Sequence, residues 1–367
     1  AYSKLNVLHL HLSDQESFPL KFDMFPSLWD SAFSKNERYT KREMRHFVKY
    51  AHSRGVAVLP EFDTPSHSRA MCIGAPTDVC METCSKNNMP LRPIEHSFDF
   101  VNDLWGEVLS PQDADATEMF PFDLAHSGGD EVKTFCWDDD NVSAAWMDAH
   151  NLTSSETYLY FINKNIDIVA SYSKRPVIWN DGFNTFTTSI DPRAVIMFWT
   201  STSYGKYFKE AVKAGREIIA ATSNPLYLSN ANDYSTKLYY EYDPCDCSNS
   251  ANDNNCVNTT AECSKIIGME TAFWTSDYDA SNLETALWPR ALALAERAWS
   301  SKEMKYYTNG SSSTGTTDSS TPATSERLGK FRCSLLERGI AVLPLFANWY
   351  HKYAGNRPGE SGSCLYQ

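Results

Sequence analysis

Seven apolar-rich runs punctuate the chain, at residues 5–12, 56–62, 120–125, 176–179, 194–199, 217–221 and 266–274. They are near-continuous rather than alternating, which is the pattern of parallel strands buried on both faces. Helical periodicity fills the intervals. Thr40-Lys41-Arg42-Glu43 is a capping box, followed by Met44, Phe47, Val48 and Ala51 at i, i+3, i+4 and i+7, with Gly55 as the stop. Thr153 to Glu156 forms a second capping box ahead of Ile162, Ile166 and Val169. A third helical stretch, 283–299, is interrupted by Pro289. Strands alternating with helices predict an α/β fold, a (β/α)8 TIM barrel. Nothing ahead of Leu5 offers a further strand and helix, so the barrel is expected to be N-terminally incomplete. Its first strand and helix, and any targeting segment, are expected upstream. Residues 5–11 and 266–274 should border the gap. The chain reads as a single catalytic domain, 1–367, with a Cys-rich loop at 243–265 and a low-complexity Ser/Thr/Gly loop at 309–325.

Composition narrows the picture. Of 367 residues 42% are apolar, enough for a large core, and the net charge of −13 offers no basic stripe for nucleic acid. No run of eighteen apolar residues exists, so no membrane span is expected. Ten cysteines are too many for an ordinary cytosolic enzyme. Four of them, Cys245, Cys247, Cys256 and Cys263, crowd one polar loop, and Cys245-Asp246-Cys247 lacks zinc-ligand spacing, which leaves disulfides. Four glycosylation sequons begin at Asn141, Asn151, Asn258 and Asn309. Both features point to the secretory pathway, with a lysosomal, vacuolar or extracellular destination.

Chemistry gathers where the strands end. His9 and His11 end the first run and Asp14 follows it, Asp63 and His67 follow the second, and Asp130 and Glu131 follow the third. Trp179, Trp199, Tyr227 and Trp274 end or follow the others. In a barrel of this class the active site lies at the carboxyl ends of the strands. The densest motif is His126-Ser127-Gly128-Gly129-Asp130-Glu131-Val132, in which two glycines permit a sharp turn and two neighbouring acids repel, pushing their pKa values apart. That separation is what acid/base chemistry needs.

Four ordered motifs together resemble family 20 glycoside hydrolases, the β-N-acetylhexosaminidases, and the animal lysosomal type more than the bacterial chitobiases. They are Asn6-Val7-Leu8-His9-Leu10-His11-Leu12-Ser13-Asp14, Glu61-Phe62-Asp63-Thr64-Pro65-Ser66-His67, the Gly-Gly-Asp-Glu motif, and Leu287-Trp288-Pro289-Arg290-Ala291 with Glu296-Arg297-Ala298-Trp299. The resemblance implies a substrate-assisted reaction in which the sugar's 2-acetamido oxygen is the nucleophile. Asp130 would stabilise the oxazolinium ion and Glu131 would be the general acid and base. Because a strand alternates sides at every residue, neighbouring acids suit two roles. Asp14 and His67 would form a relay to Glu131, supported by Asp63, which is also counted with Asp277 among the residues that bind the sugar. Trp179, Trp199 and Trp274 would wall the acetamido pocket, with Tyr227 donating to the acetamido carbonyl. The implied partners are N-acetylhexosamine-terminated glycans or chitooligosaccharides; no cofactor or metal is implied, and a homodimer is compatible with the resemblance.

The chain departs from the family pattern at three places that bear on the sugar's O3, O4 and O6. The strand carrying the family's sugar-gripping Arg is not found, and Ser229 and Ser276 stand where the family has Asp and Glu. Asp277 and Asp233 are nearby acids that would substitute, Asp277 being the nearer to Trp274. Ser66 replaces a usual Gly. An inactive family member that binds glycans or is only structural is the alternative. A third reading, a metal-dependent hydrolase using His9, His11, His67 and His126, ranks last. Four or five disulfides are expected: Cys136 with Cys80 or Cys84, Cys333 with Cys364, and two within 245–263.

Overall fold

The structure, a computed structural model, describes residues 2–82, 84, 89–111, 118–200, 205–229, 236–248, 255–275, 278–301, 324–345 and 364. The chain forms two compact units, one of residues 6–197 with 214–217, the other of 1–5, 198–213 and 218–367.

The first unit is built on parallel strands β1 (Val7–His11), β2 (Ala57–Glu61), β3 (Leu124–His126), β4 (Arg175–Trp179) and β5 (Val195–Phe198), paired in chain order. Each lies within or against one of the apolar runs. The third run is trimmed most: pairing starts at Leu124, because Pro121 has no N–H for a ladder. Residues 2–6, ahead of β1, form turns and irregular chain rather than a strand. Val7 and Leu8 are correspondingly exposed, at 37% and 39%. Both capping boxes form as read, Thr40 opening helix Lys41–His52 and Thr153 opening helix Ser154–Ser171. Helix Glu95–Leu109 has no capping side chain and was not legible; it is held by burial of Phe98, Val101, Leu104, Trp105 and Val108. Phe18, Phe22, Phe62 and Trp105 form one aromatic cluster, with Phe18 stacked on Phe62 and the other pairs edge to face.

The second unit holds β6 (Ile218–Ala220) paired in parallel with β7 (Ile266–Met269). The last apolar run leaves the ladder at Met269, so Trp274 lies on irregular chain. The stretch at 283–299 splits at Pro289 into helices Leu283–Leu287 and Arg290–Ala298. Arg290 is buried and donates to the carbonyls of Leu228 (2.7 Å) and Ala286 (2.6 Å).

All ten cysteines are paired: Cys72–Cys80, Cys84–Cys136, Cys245–Cys263, Cys247–Cys256 and Cys333–Cys364. Of the two partners open for Cys136, Cys84 takes the bond, and Cys80 closes a short loop with Cys72. The sequon asparagines Asn141, Asn151 and Asn258 are exposed; Asn309 and most of the low-complexity loop lie outside the described residues. No described helix is long and apolar enough to cross a membrane.

The turn after β3 sets the geometry of everything near it. Gly128 and Gly129 have φ of +70° and +94°. A Cβ on Gly128 would sit 1.7 Å from Asp63 Oδ1, while the Gly129 N–H donates to that same oxygen at 3.1 Å. Tyr158 Oη donates to the Gly129 carbonyl (2.6 Å), and the Trp179 N–H to that of Gly128 (3.0 Å).

Two measurements check this account. Gly128→Ala should fail to fold or lose well over ~1–2 kcal/mol, the cost of left-handed backbone alone, because the collision with Asp63 adds to it; an unchanged urea midpoint would contradict the close approach. Replacing Cys84 and Cys136 together by Ala should cost ~4 kcal/mol, since the bond closes a loop across 52 residues; thermal unfolding of the double variant reads it.

Candidate active site

Three loops of the first unit, after β1, β2 and β3, bring Asp14, His67, Asp130 and Glu131 together. His67 Nδ1 donates to Asp14 Oδ1 at 2.9 Å. On its other side, His67 Nε2 lies 3.4 Å from Glu131 Oε2 and 3.7 Å from Asp130 Oδ2. One imidazole therefore spans from the Asp14 carboxylate to both acids of the Gly-Gly-Asp-Glu motif. Asp130 and Glu131 are not on a strand; pairing ends at His126. Strand alternation thus does not separate them, contrary to the sequence argument. The separation comes from the left-handed backbone of Glu131, φ +50°, which leaves its side chain 48% exposed while that of Asp130 is 15% exposed. His67 is left-handed too, at φ +54°. Two non-glycine residues held in this region on opposite sides of one contact mark strain at a site, which packing elsewhere must offset.

The charges alternate. Burial works against the His67 cation, but its hydrogen bonds to the Asp14 and Glu131 carboxylates and the charges of Asp63 and Asp130 outweigh it, pushing its pKa up to about 12. Burial would raise Asp14, yet its contacts with His11 and His67 hold it well below the usual carboxylate range. Asp63 and Asp130 go the other way. Burial, reinforced by Glu61, moves Asp63 up to about 7, and burial with the Asp63 charge moves Asp130 well above its ordinary value. Two acids in one desolvated place share a proton as a pair.

Asp63 does not have the sugar-contacting place assigned to it from sequence. It is 1% exposed and sits beneath the turn; its carboxylate accepts from Gly129 N–H and its own backbone N–H donates to Ser13 Oγ. Its carboxylate shapes the turn and the Asp130 charge. Trp179 is 3% exposed, and its indole N–H donates to Glu61 Oε1 at 2.8 Å. In the second unit Trp199, Tyr227 and Trp274 are half-buried, and the Tyr227 and Trp274 rings lie 6.2 Å apart. Ser229 is half-buried. Ser276, Asp277 and Asp233 lie outside the described residues.

Glu61 opens the second motif, and the sequence alone assigns it no role. It is fully buried at the end of β2, and parallel register places it beside His11 of β1 and His126 of β3. His11 Nδ1 bonds its Oε2, His9 Nε2 lies 3.1 Å from the same oxygen, and His126 Nδ1 lies 2.8 Å from Oε1. The signal was available: an acid inside an otherwise apolar run that must be buried. Three of the four histidines weighed as metal ligands converge here. Donor atoms of His9, Glu61 and His126, of His11, Glu61 and Asp63, and of Asp63, His67 and Asp130 form groups within 4.8 Å. Four nitrogens already crowd the two oxygens of Glu61, so the two groups that contain it are a network of charged and N–H contacts.

Residues 1–302 match glycosyl hydrolase family 20, catalytic domain. Beta-hexosaminidase 1 of Arabidopsis thaliana is 32% identical over 367 residues, all of this chain and 61% of the relative. The Homo sapiens beta-hexosaminidase subunit beta is 30% identical, covering 95% of this chain and 58% of its own. The chain thus spans about three-fifths of the length of these relatives. In structure it resembles the beta-N-acetylhexosaminidase from Bacteroides fragilis, with TM-score 0.73 at 22% identity, over 95% of this chain and 69% of that one. That likeness gives the fold, an α/β barrel of the TIM class. With residues 1–302 of its 367 matched to the family's catalytic domain, the chain belongs to glycosyl hydrolase family 20.

Proposed function

We propose that the protein is an exo-acting, retaining β-N-acetylhexosaminidase that removes terminal N-acetylglucosamine or N-acetylgalactosamine from glycans or chitooligosaccharides by substrate-assisted catalysis. The observation that carries this reading is the Asp14–His67–Glu131 contact chain beside a desolvated Asp130, within a chain of this family. Glu131, the more exposed acid, gives its proton to the leaving oxygen and later takes one from water. The cationic His67 stabilises the carboxylate that Glu131 becomes. Asp130 accepts the acetamido N–H and opposes the positive charge of the oxazolinium ion; its buried setting makes that charge pair strong. Trp179, Trp199, Trp274 and Tyr227 are assigned to the acetamido group, holding its oxygen near the anomeric carbon. Asp277 and Asp233 are the nearby acids that would substitute on the O4 and O6 side of the sugar, and a strong preference for one C4 epimer would show that one of them does. Five disulfides and three exposed sequons support a secretory-route destination, lysosomal, vacuolar or extracellular.

The test is turnover of an aryl N-acetyl-β-glucosaminide with the product anomer followed by proton NMR. Retention and inactivity toward the matching plain glucoside support the reading; turnover of the glucoside overturns it. Binding of N-acetylglucosamine with no turnover points to a glycan-binding member instead. Glu131→Gln should abolish cleavage of substrates with poor leaving groups and spare activated ones, whereas Asp130→Asn should slow both. Rates on gluco- and galacto-configured substrates should lie within roughly tenfold of each other, because Ser229 lacks a carboxylate and one charge-assisted bond is worth about that factor.

The pH dependence has a definite sign. Asp130 must be charged, and its pKa is raised, so kcat/KM falls on the acid side at a pH above the ordinary carboxylate range. Asp63→Asn keeps an oxygen for Gly129 N–H and removes the neighbouring acid. The acid limb of the variant should move to lower pH; a limb that stays put or moves up would disprove the shared-proton pair.

A further inference from the structure

The Asp14–His67 contact does not end at Asp14. His11 Nε2 lies 3.1 Å from Asp14 Oδ2, and His11 Nδ1 bonds Glu61 Oε2. The other oxygen of Glu61 accepts the Trp179 indole N–H at 2.8 Å. An unbroken chain of polar contacts therefore runs Glu131, His67, Asp14, His11, Glu61, Trp179, all within the first unit. Its geometry is determined at both ends of His11. An imidazole between two carboxylates can satisfy both only by donating from both nitrogens, which requires the imidazolium. Each Asp14 oxygen is then met by a different histidine, and the carboxylate cannot rotate without losing one of them.

We propose that Glu61 and His11 are positioning residues: the buried Glu61 carboxylate holds His11 as a bridging cation that locks the Asp14 carboxylate onto His67, and with its second oxygen fixes the plane of the Trp179 indole. One carboxylate with no access to substrate then orients both the group assigned to proton transfer and one wall of the acetamido pocket. What is positioned rests on the hydrolase reading above; the bridging cation does not.

Local structure explains why the arrangement is confined to these residues. Parallel register aligns His11, Glu61 and His126 across β1, β2 and β3, so their side chains share one side of the sheet. The His126 and Trp179 rings pack at 4.6 Å and those of His9 and His126 at 4.9 Å, shutting Glu61 off from water. A carboxylate sealed there needs cationic or N–H partners on every side, because an unpaired buried charge is very costly. The charged groups facing His11 include Glu61 of β2, Asp63 of the loop after it, and Asp14 of its own loop. Burial disfavours its cation, but these three acids raise its pKa well above the ordinary histidine value.

The experiment has two arms. In the first, His11→Phe, Asp14→Asn and the double variant are compared on aryl N-acetylglucosaminides with poor and activated leaving groups. His11→Phe should lower kcat/KM by roughly tenfold or more on the poor leaving group and less on the activated one. In the double variant the loss should be no greater than for Asp14→Asn alone, because His11 acts through Asp14. Losses that multiply, or equal losses on both substrates, would overturn the proposal, since a merely structural histidine behaves that way. Should His11→Phe not fold, judged by circular dichroism, His11→Gln takes its place in the cycle. The second arm is independent of turnover. Nitrogen-15 NMR of the imidazoles should show His11 protonated on both nitrogens at pH 7, and on one only in Glu61→Gln. A neutral His11 in the unaltered protein would overturn the proposal whether or not the hydrolase reading stands, while a doubly protonated His11 in a protein without turnover would uphold the bridge and reject only that reading.

Discussion

There is no room for a side chain at Gly128. The Asp63 carboxylate occupies the position where its Cβ would be, and from that position it accepts the N–H of the next residue. The close approach turns the chain out of β3 with two left-handed glycines and delivers Asp130 and Glu131 to one imidazole. It also puts two acids into one desolvated pocket, which is why Asp63 and Asp130 hold protons that ordinary carboxylates release. A single steric fact thereby shapes the turn and shifts the charge state of the chemistry placed on it.

Electrostatics completes what sterics begins. Buried charges survive when they alternate in sign and have their hydrogen-bonding capacity filled. Along Glu61, His11, Asp14 and His67 each group sits between opposite charges, so the pKa values of the two histidines rise and those of the two acids fall. Stability linked to Asp14 is present above the carboxylate pKa of the unfolded chain and disappears as pH falls through its depressed native value; that linked to His67 is complete below an unfolded pKa of about 6.5 and is lost as pH rises toward about 12. Across neutral pH both contributions act together.

Much of this was legible beforehand, and the reasons are local. The seven runs became strands because a parallel strand buried on both faces must be apolar throughout. The capping boxes at Thr40 and Thr153 open helices because the two reciprocal bonds involve residues three apart. Helix Glu95–Leu109 escaped notice because its start has no capping side chain, and its existence rests on packing. The run at 120–125 overreaches β3 at its start, because a proline's missing N–H matters only once the partner strand is known.

The sequence by itself determined the class of fold, the oxidised cysteines, and the acids and histidines available for chemistry, because periodicity, capping and motif spacing are properties of neighbouring residues. Only the tertiary structure decided which atoms meet. Register between β1, β2 and β3 selected Glu61 as the partner of three histidines, and the Asp63–Gly128 contact moved Asp63 from sugar binder to support of the turn. Those choices join residues some fifty to more than a hundred positions apart, and nothing in the local chain encodes a contact that exists only once strands lie side by side.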